Sequence, residues 1–328
     1  MLWCSSCIHV EAAYNSSKPG DSVNATEDLC SANNIYYIRF FSFEQRYKLF
    51  YLHIASTDSQ AEIVWTANRN KPYVNTSGLN LSFDHFGVLK IVSQVEKPII
   101  IYSPPPHSTT NNMVATLLDT GNFVVQQLNP NGATKSVLWQ SFDYPGHTLI
   151  PGMKLGVNHK TGHSWSLVSW VSEASPAPGP FSLEWEPKEG ELNIRRRGQV
   201  IWKSGKLRHN IFENIPKESQ LMFNYTIVSN HNEDYFTFTT LSETPAAIRV
   251  SWSMYQTGQL TGILGTDIAR ADKCYGYNTD DGCQKWEIPE CRHPGDVFDV
   301  RTAFFDVQGN DTSYERNSSY GIGDCQAS

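Results

Sequence analysis

Apolar and polar positions alternate along this chain in short runs separated by glycine- and proline-bearing turns, the period-two pattern of half-buried strands. Three stretches repeat one design. Gly87-Val-Leu-Lys-Ile leads to Ile100-Ile-Tyr-Ser, Gly121-Asn-Phe-Val-Val to Val137-Leu-Trp-Gln-Ser, and Gly190-Glu-Leu-Asn-Ile to Val200-Ile-Trp-Lys-Ser. Ile63-Val-Trp-Thr-Ala has the form of another return strand. Each unit predicts a glycine turn, an alternating strand, a variable loop and a strand ending in a large aromatic, which together make a β-hairpin. Trp65, Tyr102 and Trp139 follow one another at intervals of 37 residues. A period of this size signals repeated supersecondary units around a shared core, with Trp65, Trp139 and Trp202 as its expected anchors. Equivalent faces set around an axis suit binding better than chemistry.

The runs Ile35-Tyr-Tyr-Ile-Arg-Phe-Phe and Tyr47-Lys-Leu-Phe-Tyr-Leu-His-Ile have strand length and strand composition. Ser103-Pro-Pro-Pro-His-Ser reads as a loop, because consecutive prolines cannot donate to a ladder. Asp143-Tyr-Pro-Gly and Leu149-Ile-Pro-Gly close the first block with turn chemistry. A second, tryptophan-rich strand block runs from Gly162 to about Thr266 and is expected to break at a turn, Ala174-Ser-Pro-Ala-Pro-Gly-Pro. Residues 13–30 are polar and read as a mobile leader. From Asp272 the sequence becomes hydrophilic and punctuated by cysteine. No amphipathic helix of ordinary length is visible, so the fold class is all-β.

Composition bounds the function. At 328 residues, two or three domains are expected, and 40% hydrophobic with 12% aromatic residues supports real cores. A formal charge of −7 argues against a nucleic-acid partner, which would need a basic face. The one short basic run, Arg195-Arg196-Arg197, is better read as a solvated strand edge. Asn-x-Ser/Thr acceptor sequences for N-glycosylation occur at Asn15, Asn24, Asn75, Asn80, Asn224, Asn310 and Asn317, which favours a secreted glycoprotein surface. The seven cysteines lie only at the ends: Cys4, Cys7 and Cys30, then Cys274, Cys283, Cys291 and Cys325. The repeats between them must rely on apolar cores, with a small stapled tail. Residues 1–12 read as the end of a signal peptide, with an ordinary N-terminal tail as the alternative. No apolar run approaches the ~18 residues a membrane helix needs.

Val64-Trp-Thr-Ala-Asn-Arg-Asn-Lys-Pro resembles the VWVANRxxP block of bulb-type, mannose-binding lectin domains. Leu117-Leu-Asp-Thr-Gly-Asn-Phe-Val-Val, followed by Leu138-Trp-Gln-Ser-Phe-Asp-Tyr-Pro-Gly-His-Thr-Leu-Ile-Pro-Gly-Met-Lys-Leu-Gly, resembles the signature of S-locus glycoproteins and plant G-type lectin S-receptor-like serine/threonine kinases. Val200-Ile-Trp-Lys-Ser-Gly, Gly282-Cys-Gln-Lys-Trp-Glu-Ile-Pro-Glu-Cys and Ser319-Tyr-Gly-Ile-Gly-Asp-Cys are similar to further blocks of that family. The resemblance covers about residues 30–328. It implies tandem bulb-lectin β-prism modules: a lectin domain at 31–156, an S-locus glycoprotein domain at 157–270, and a reduced EGF-like segment with the start of a PAN module at 271–328. It also implies a Cys274–Cys283 disulfide, leaving Cys291 and Cys325 in want of partners.

The family's sugar row, Q-x-D-x-N-x-V-x-Y, falls in the second repeat on Leu118, Thr120, Asn122, Val124 and Gln126, where only Asn122 and Val124 match. In the first repeat it falls on Phe83, His85, Gly87, Leu89 and Ile91, and none matches. Without the aspartate and glutamine most of the polar grip is gone, so the mannose site is expected to be degenerate. Asn122 also reads simply as part of a Gly-Asn turn. No catalytic constellation stands out, and the kinase glycine-rich loop, lysine and His-Arg-Asp elements are missing from this sequence. His159 and His163 have the spacing of a metal pair only on a helix, whereas they flank a turn at Gly162. Glu184, Glu186, Asp280 and Asp281 read as surface carboxylates. No metal or cofactor is expected. The expected function is extracellular, non-catalytic recognition of a protein, peptide or glycan, homodimerisation being compatible with it. The alternative is a soluble mannose-type lectin whose sites have drifted.

Overall fold

A computed structural model describes residues 15–43, 48–59, 61–241, 250–262, 265–276 and 279–285. Its strands fall in chain order into two groups. The first comprises β1 (Ser16–Ser17), β2 (Ser22–Asn24), β3 (Leu29–Cys30), β4 (Tyr36–Ser42), β5 (Phe50–Ser56), β6 (Ile63–Thr66), β7 (Asn80–Phe83), β8 (Leu89–Val92), β9 (Ile99–Tyr102), β10 (Met113–Leu117), β11 (Phe123–Leu128) and β12 (Thr134–Gln140). They form three four-stranded antiparallel sheets, ordered β3-β4-β5-β6, β2-β7-β8-β9 and β1-β10-β11-β12. Each is one repeat with a short strand added at its edge.

Those added strands correct the expectation of a mobile leader. The segment 15–30 crosses the three sheets in reverse order, pairing Ser16–Ser17 with β10, Ser22–Asn24 with β7 and Leu29–Cys30 with β4. Polarity misled because an edge strand needs few apolar side chains when its backbone groups are taken up by a neighbour. Cys30, buried on β3, is disulfide-bonded.

The second group comprises β13 (Thr148–Leu149), β14 (Leu155–Asn158), β15 (Ser164–Trp165), β16 (Leu167–Ser172), β17 (Ser175–Glu186), β18 (Glu191–Arg196), β19 (Gln199–Lys203), β20 (Leu207–Arg208), β21 (Ile211–Phe212), β22 (Phe223–Ser229), β23 (Glu233–Thr240), β24 (Trp252–Met254), β25 (Gln259–Thr261) and β26 (Asp267–Arg270). Three more four-stranded sheets result, β13-β24-β25-β26, β15-β14-β23-β22 and β16-β17-β18-β19, with β20 and β21 as a small pair. The fold is therefore a tandem of β-prism modules. β13 pairs with β24, so strand partners change before Thr148.

The proline-rich stretch is likewise not a turn. Ser175–Pro180 lies inside β17, where Trp170 faces Pro178 and Ser172 faces Ser175. Pairing of β17 to β18 begins only at Phe181 opposite Arg196, so the prolines sit where the strand has one partner. Their missing N–H groups then need cost no ladder bond.

The aromatic anchors are where the repeats predicted. Trp65, Tyr102 and Trp139 each end the last strand of a first-group sheet and are at most 9% exposed, and the Trp65 and Trp139 rings meet edge-on at 5.7 Å. Trp202 is buried on β19, and its indole N–H donates to the Asp281 carbonyl oxygen at 2.7 Å. Backbone pairing of Trp202 with Cys283 and the Cys274–Cys283 disulfide fasten the described part of the tail to the second module. Among the described residues one large apolar cluster runs through both modules, with a small second cluster at Cys30, Tyr37 and Ala55. Each fully buried large side chain contributes roughly 1.5–3 kcal/mol, so the cores can hold without cross-links. Residues 1–14, the acceptors Asn310 and Asn317, and Cys291 and Cys325 lie outside the described residues.

Candidate functional site

The three outward faces of the first module differ from one another. On β10–β12 the Gly121 turn, with φ of +85°, brings Asn122 to the start of β11. The Asn122 amide is engaged inside the protein through both its nitrogen and its oxygen. Its nitrogen donates to Gln140 Oε1 at 2.9 Å, and its oxygen accepts from Ser141 Oγ at 3.2 Å and the Phe142 N–H at 3.3 Å. Asn122 is 8% exposed and Val124 is 2% exposed. Gln126, where the family row has tyrosine, accepts from Thr134 Oγ1. In this geometry Asn122 shapes the turn into Gln140–Phe142, with both its amide oxygen and its amide nitrogen engaged within the fold.

The alignment of the row onto the first repeat needs correction by one residue. Phe83, Leu89 and Ile91 are at most 1% exposed and belong to the core. Phe83 opposite Leu89 occupies the place of Leu117 opposite Phe123 in the next sheet, so Asn122 corresponds to Val88. Shifted by one, the row falls on Asp84, Phe86, Val88, Lys90 and Val92, since a one-residue slip turns every side chain to the other face. Lys90 is paired with Asp84 at 2.6 Å, and none of these residues restores the row. Asn24 and Asn80, both glycosylation acceptor sequences, are direct cross-strand partners at the rim of this sheet.

The face of β3–β6 is reached by the other module at one aromatic contact, while Phe41 on that face stays 40% exposed. The Phe43 ring meets Trp170 at 5.0 Å, and Trp170 also packs on His147 at 4.3 Å. Beneath Phe41 and Phe43 lies His53, fully buried, with Arg39 opposite it across the strands. Arg39 is held by Asp28 and lies 4.8 Å from the centre of the Tyr37 ring.

Residues from the Ile63-Val-Trp-Thr-Ala-Asn-Arg block make the junction. Arg69 donates from Nε to Pro176 O at 2.8 Å and from Nη2 to Val168 O at 2.9 Å and Ser169 O at 3.0 Å. Glu62 Oε1 accepts from Ser251 Oγ at 2.7 Å and Ser253 Oγ at 2.6 Å. Thr148 Oγ1 donates to Ile63 O at 2.9 Å. Asn68 stays within its own module, accepting from the Leu52 N–H and donating to the carbonyls of Phe50 and Lys71. The motif residues were visible in the sequence, but partners about 100 and 190 positions away were not.

Burial and the nearby Arg39 and Arg69 charges push the pKa values of His53 and His147 down to about 3. Both histidines are neutral in the fold but gain a proton near pH 6.5 when unfolded, so their contribution is complete above that pH. It is lost as pH falls from about 6.5 towards about 3. Burial raises the Glu62 pKa, which has the opposite sign: its contribution is full below the ordinary carboxylate value and is lost as pH rises from there through the folded value. The melting temperature of the chain is expected to drop between pH 7 and pH 5, before most carboxylates titrate, and a His147→Gln variant should show a flatter dependence. An identical slope in that variant would remove His147 from the account.

His159 and His163 do not converge. His159 pairs with Asp234 at 2.8 Å, while His163 contacts the Asp143 carbonyl, and no metal-type cluster occurs among the described residues. Glu184 and Glu186 lie on β17 beside Arg195, and the backbone oxygen of Asp281 is the one holding Trp202.

Residues 62–171, from β6 to β16, match a family model described as D-mannose binding lectin. Over 285 residues the chain is 33% identical to the G-type lectin S-receptor-like serine/threonine-protein kinase CES101 of Arabidopsis thaliana, an alignment covering 83% of this chain and 32% of the relative. A second Arabidopsis thaliana kinase of the same description is 37% identical over 245 residues, covering 73% of this chain and 29% of its own length. The receptor-like serine/threonine-protein kinase SD1-8 from the same plant is 30% identical over 278 residues, covering 82% and 31%. The chain spans about a third of the length of these curated relatives.

Proposed function

We propose a function from one premise: the chain belongs to the family of plant G-type lectin S-receptor-like kinases, whose lectin-bearing region it matches. On that premise it is a non-catalytic, extracellular recognition module that binds a protein, peptide or glycan ligand in cell-surface signalling. Its first-module mannose row is degenerate and serves the fold instead. The observation carrying this reading is Asn122, whose amide spends both its oxygen and its nitrogen on Gln140, Ser141 and Phe142. A sugar site of this shallow kind depends on a few well-placed polar groups, and withdrawing them leaves little to offset desolvation.

Titration of the purified chain with mannose and yeast mannan, followed by amide NMR, is expected to leave the β10–β12 resonances unmoved. Saturable, mannose-specific shifts in those strands would instead support a working lectin and overturn the reading.

A further inference from the structure

Strand β22 is an edge. Its sheet runs β15-β14-β23-β22, and among the described residues no strand pairs along its other side. Pairing to β23 is continuous from Phe223 opposite Thr240 to Ser229 opposite Asp234, with no bulge to twist the edge away. The strand reads Phe-Asn-Tyr-Thr-Ile-Val-Ser, with no charge and no proline along its length. Ile227 on it is 42% exposed. A regular, uncharged, β-branched edge invites pairing with another chain, and proteins blunt such edges with lysine, proline or a bulge. β22 has none of the three.

The first part of the edge is covered from within. The Asn210 side chain takes the place of a short strand, Nδ2 donating to the Phe223 carbonyl oxygen at 2.8 Å and Oδ1 accepting from the Tyr225 N–H at 2.8 Å. Phe223 and Tyr225 therefore turn their backbone groups outward, and alternation points those of Ile227 and Ser229 the same way. Among the described residues no strand continues this cover past Tyr225. What the strand carries instead is the acceptor sequence Asn224-Tyr225-Thr226. Tyr225 is buried, so Asn224 and Thr226 share the outer face, and both are exposed. Their cross-strand neighbours are Thr239 and Thr237, small side chains that leave room above the sheet.

We propose that a glycan on Asn224 guards the β22 edge, and that without it this strand pairs antiparallel with β22 of a second copy. In the modification Asn224 Nδ2 bonds to the anomeric carbon of the oligosaccharide, the amide loses one proton, and the lipid diphosphate that carried the sugar leaves. The product is hydrated and far wider than the roughly 4.8 Å between paired strands, so it obstructs the place a second strand must take. Two copies of β22 laid antiparallel set no like charges against each other and bury both Ile227 side chains, which favours the pair once the sugar is gone. The proposal rests on the extracellular reading, because Asn-x-Thr is modified on the secretory route.

The test uses the full chain secreted from cells that keep their glycans in high-mannose form. Peptide mass mapping should find Asn224 occupied. Endoglycosidase H trims each glycan to one sugar on the folded chain, and light scattering should then show the mass rise about twofold with concentration, as for a two-fold dimer. Asn224→Gln should do the same. Asn75→Gln, which removes an exposed acceptor on a loop, should leave the mass as it was. Adding Ile227→Lys to Asn224→Gln should restore the original mass, because charge on the edge opposes pairing. A bare Asn224 beside an occupied Asn75 overturns the proposal alone, whereas no modification at any acceptor overturns the extracellular reading with it. The proposal also fails if the trimmed chain and Asn224→Gln keep the original mass, or if Ile227→Lys leaves the association in place.

Discussion

Replacing Trp252 by alanine is expected to cost about 4 kcal/mol of folding stability, in the range for emptying a fully buried indole site. Trp252 begins β24, is 0% exposed, and is ringed by Phe223, Tyr225, Phe236 and Phe238 at centroid distances of 5.3 to 5.9 Å. Four rings drawn from β22 and β23 cannot close over the hole without moving a strand pair that is registered from Phe223 to Ser229. The melting temperature should fall by roughly 10 °C for a domain of this size. Trp252→Phe should cost much less, because the indole N–H has no hydrogen-bond partner to lose. Urea unfolding of both variants checks the claim. A loss below about 1 kcal/mol for alanine, with an unchanged m-value, would place the indole outside the core.

Substitution of Arg69 is expected to separate the modules without unfolding either. The guanidinium is buried and touches three backbone carbonyls of the second module. Burial pulls its pKa down to about 10, which still leaves it charged at neutral pH. Hydrogen bonds to a charged group contribute about 1.5–3 kcal/mol each, and removing the donor strands the carbonyls. Arg69→Met should therefore cost roughly 3–5 kcal/mol, the magnitude seen when one side of a buried polar contact is removed. Arg69→Lys should recover little, since one ammonium cannot reproduce the planar fork. In calorimetry the single unfolding transition is expected to split into two. Retention of a single transition with no loss of stability in Arg69→Met would mean that the aromatic contact of Phe43 with Trp170 holds the junction by itself.

The same junction bears on recognition. On the β3–β6 face of the first module Phe43 packs against Trp170, and the β10–β12 face has turned its one retained amide to structural use. On the β7–β9 sheet, paired acceptor sequences at Asn24 and Asn80 would root any attached glycans side by side.

The amino-acid sequence by itself determined the hairpins, their 37-residue spacing and the buried aromatic that ends each repeat. These are local: alternation marks a strand, glycine marks its turn, and a large ring with no polar duty goes inside. Only the tertiary structure decided the rest. Alternation separates two faces without saying which looks inward, so the row on Phe83, Leu89 and Ile91 landed in the core one residue out of register. Polar or proline-rich segments became strands because a neighbour took up their backbone groups, as at Ser16–Ser17 against β10 and Ser175–Pro180 against β16. Arg69 and Glu62 take their meaning from atoms placed beside them by folding, and hydrogen bonding is a property of such neighbours rather than of residue type.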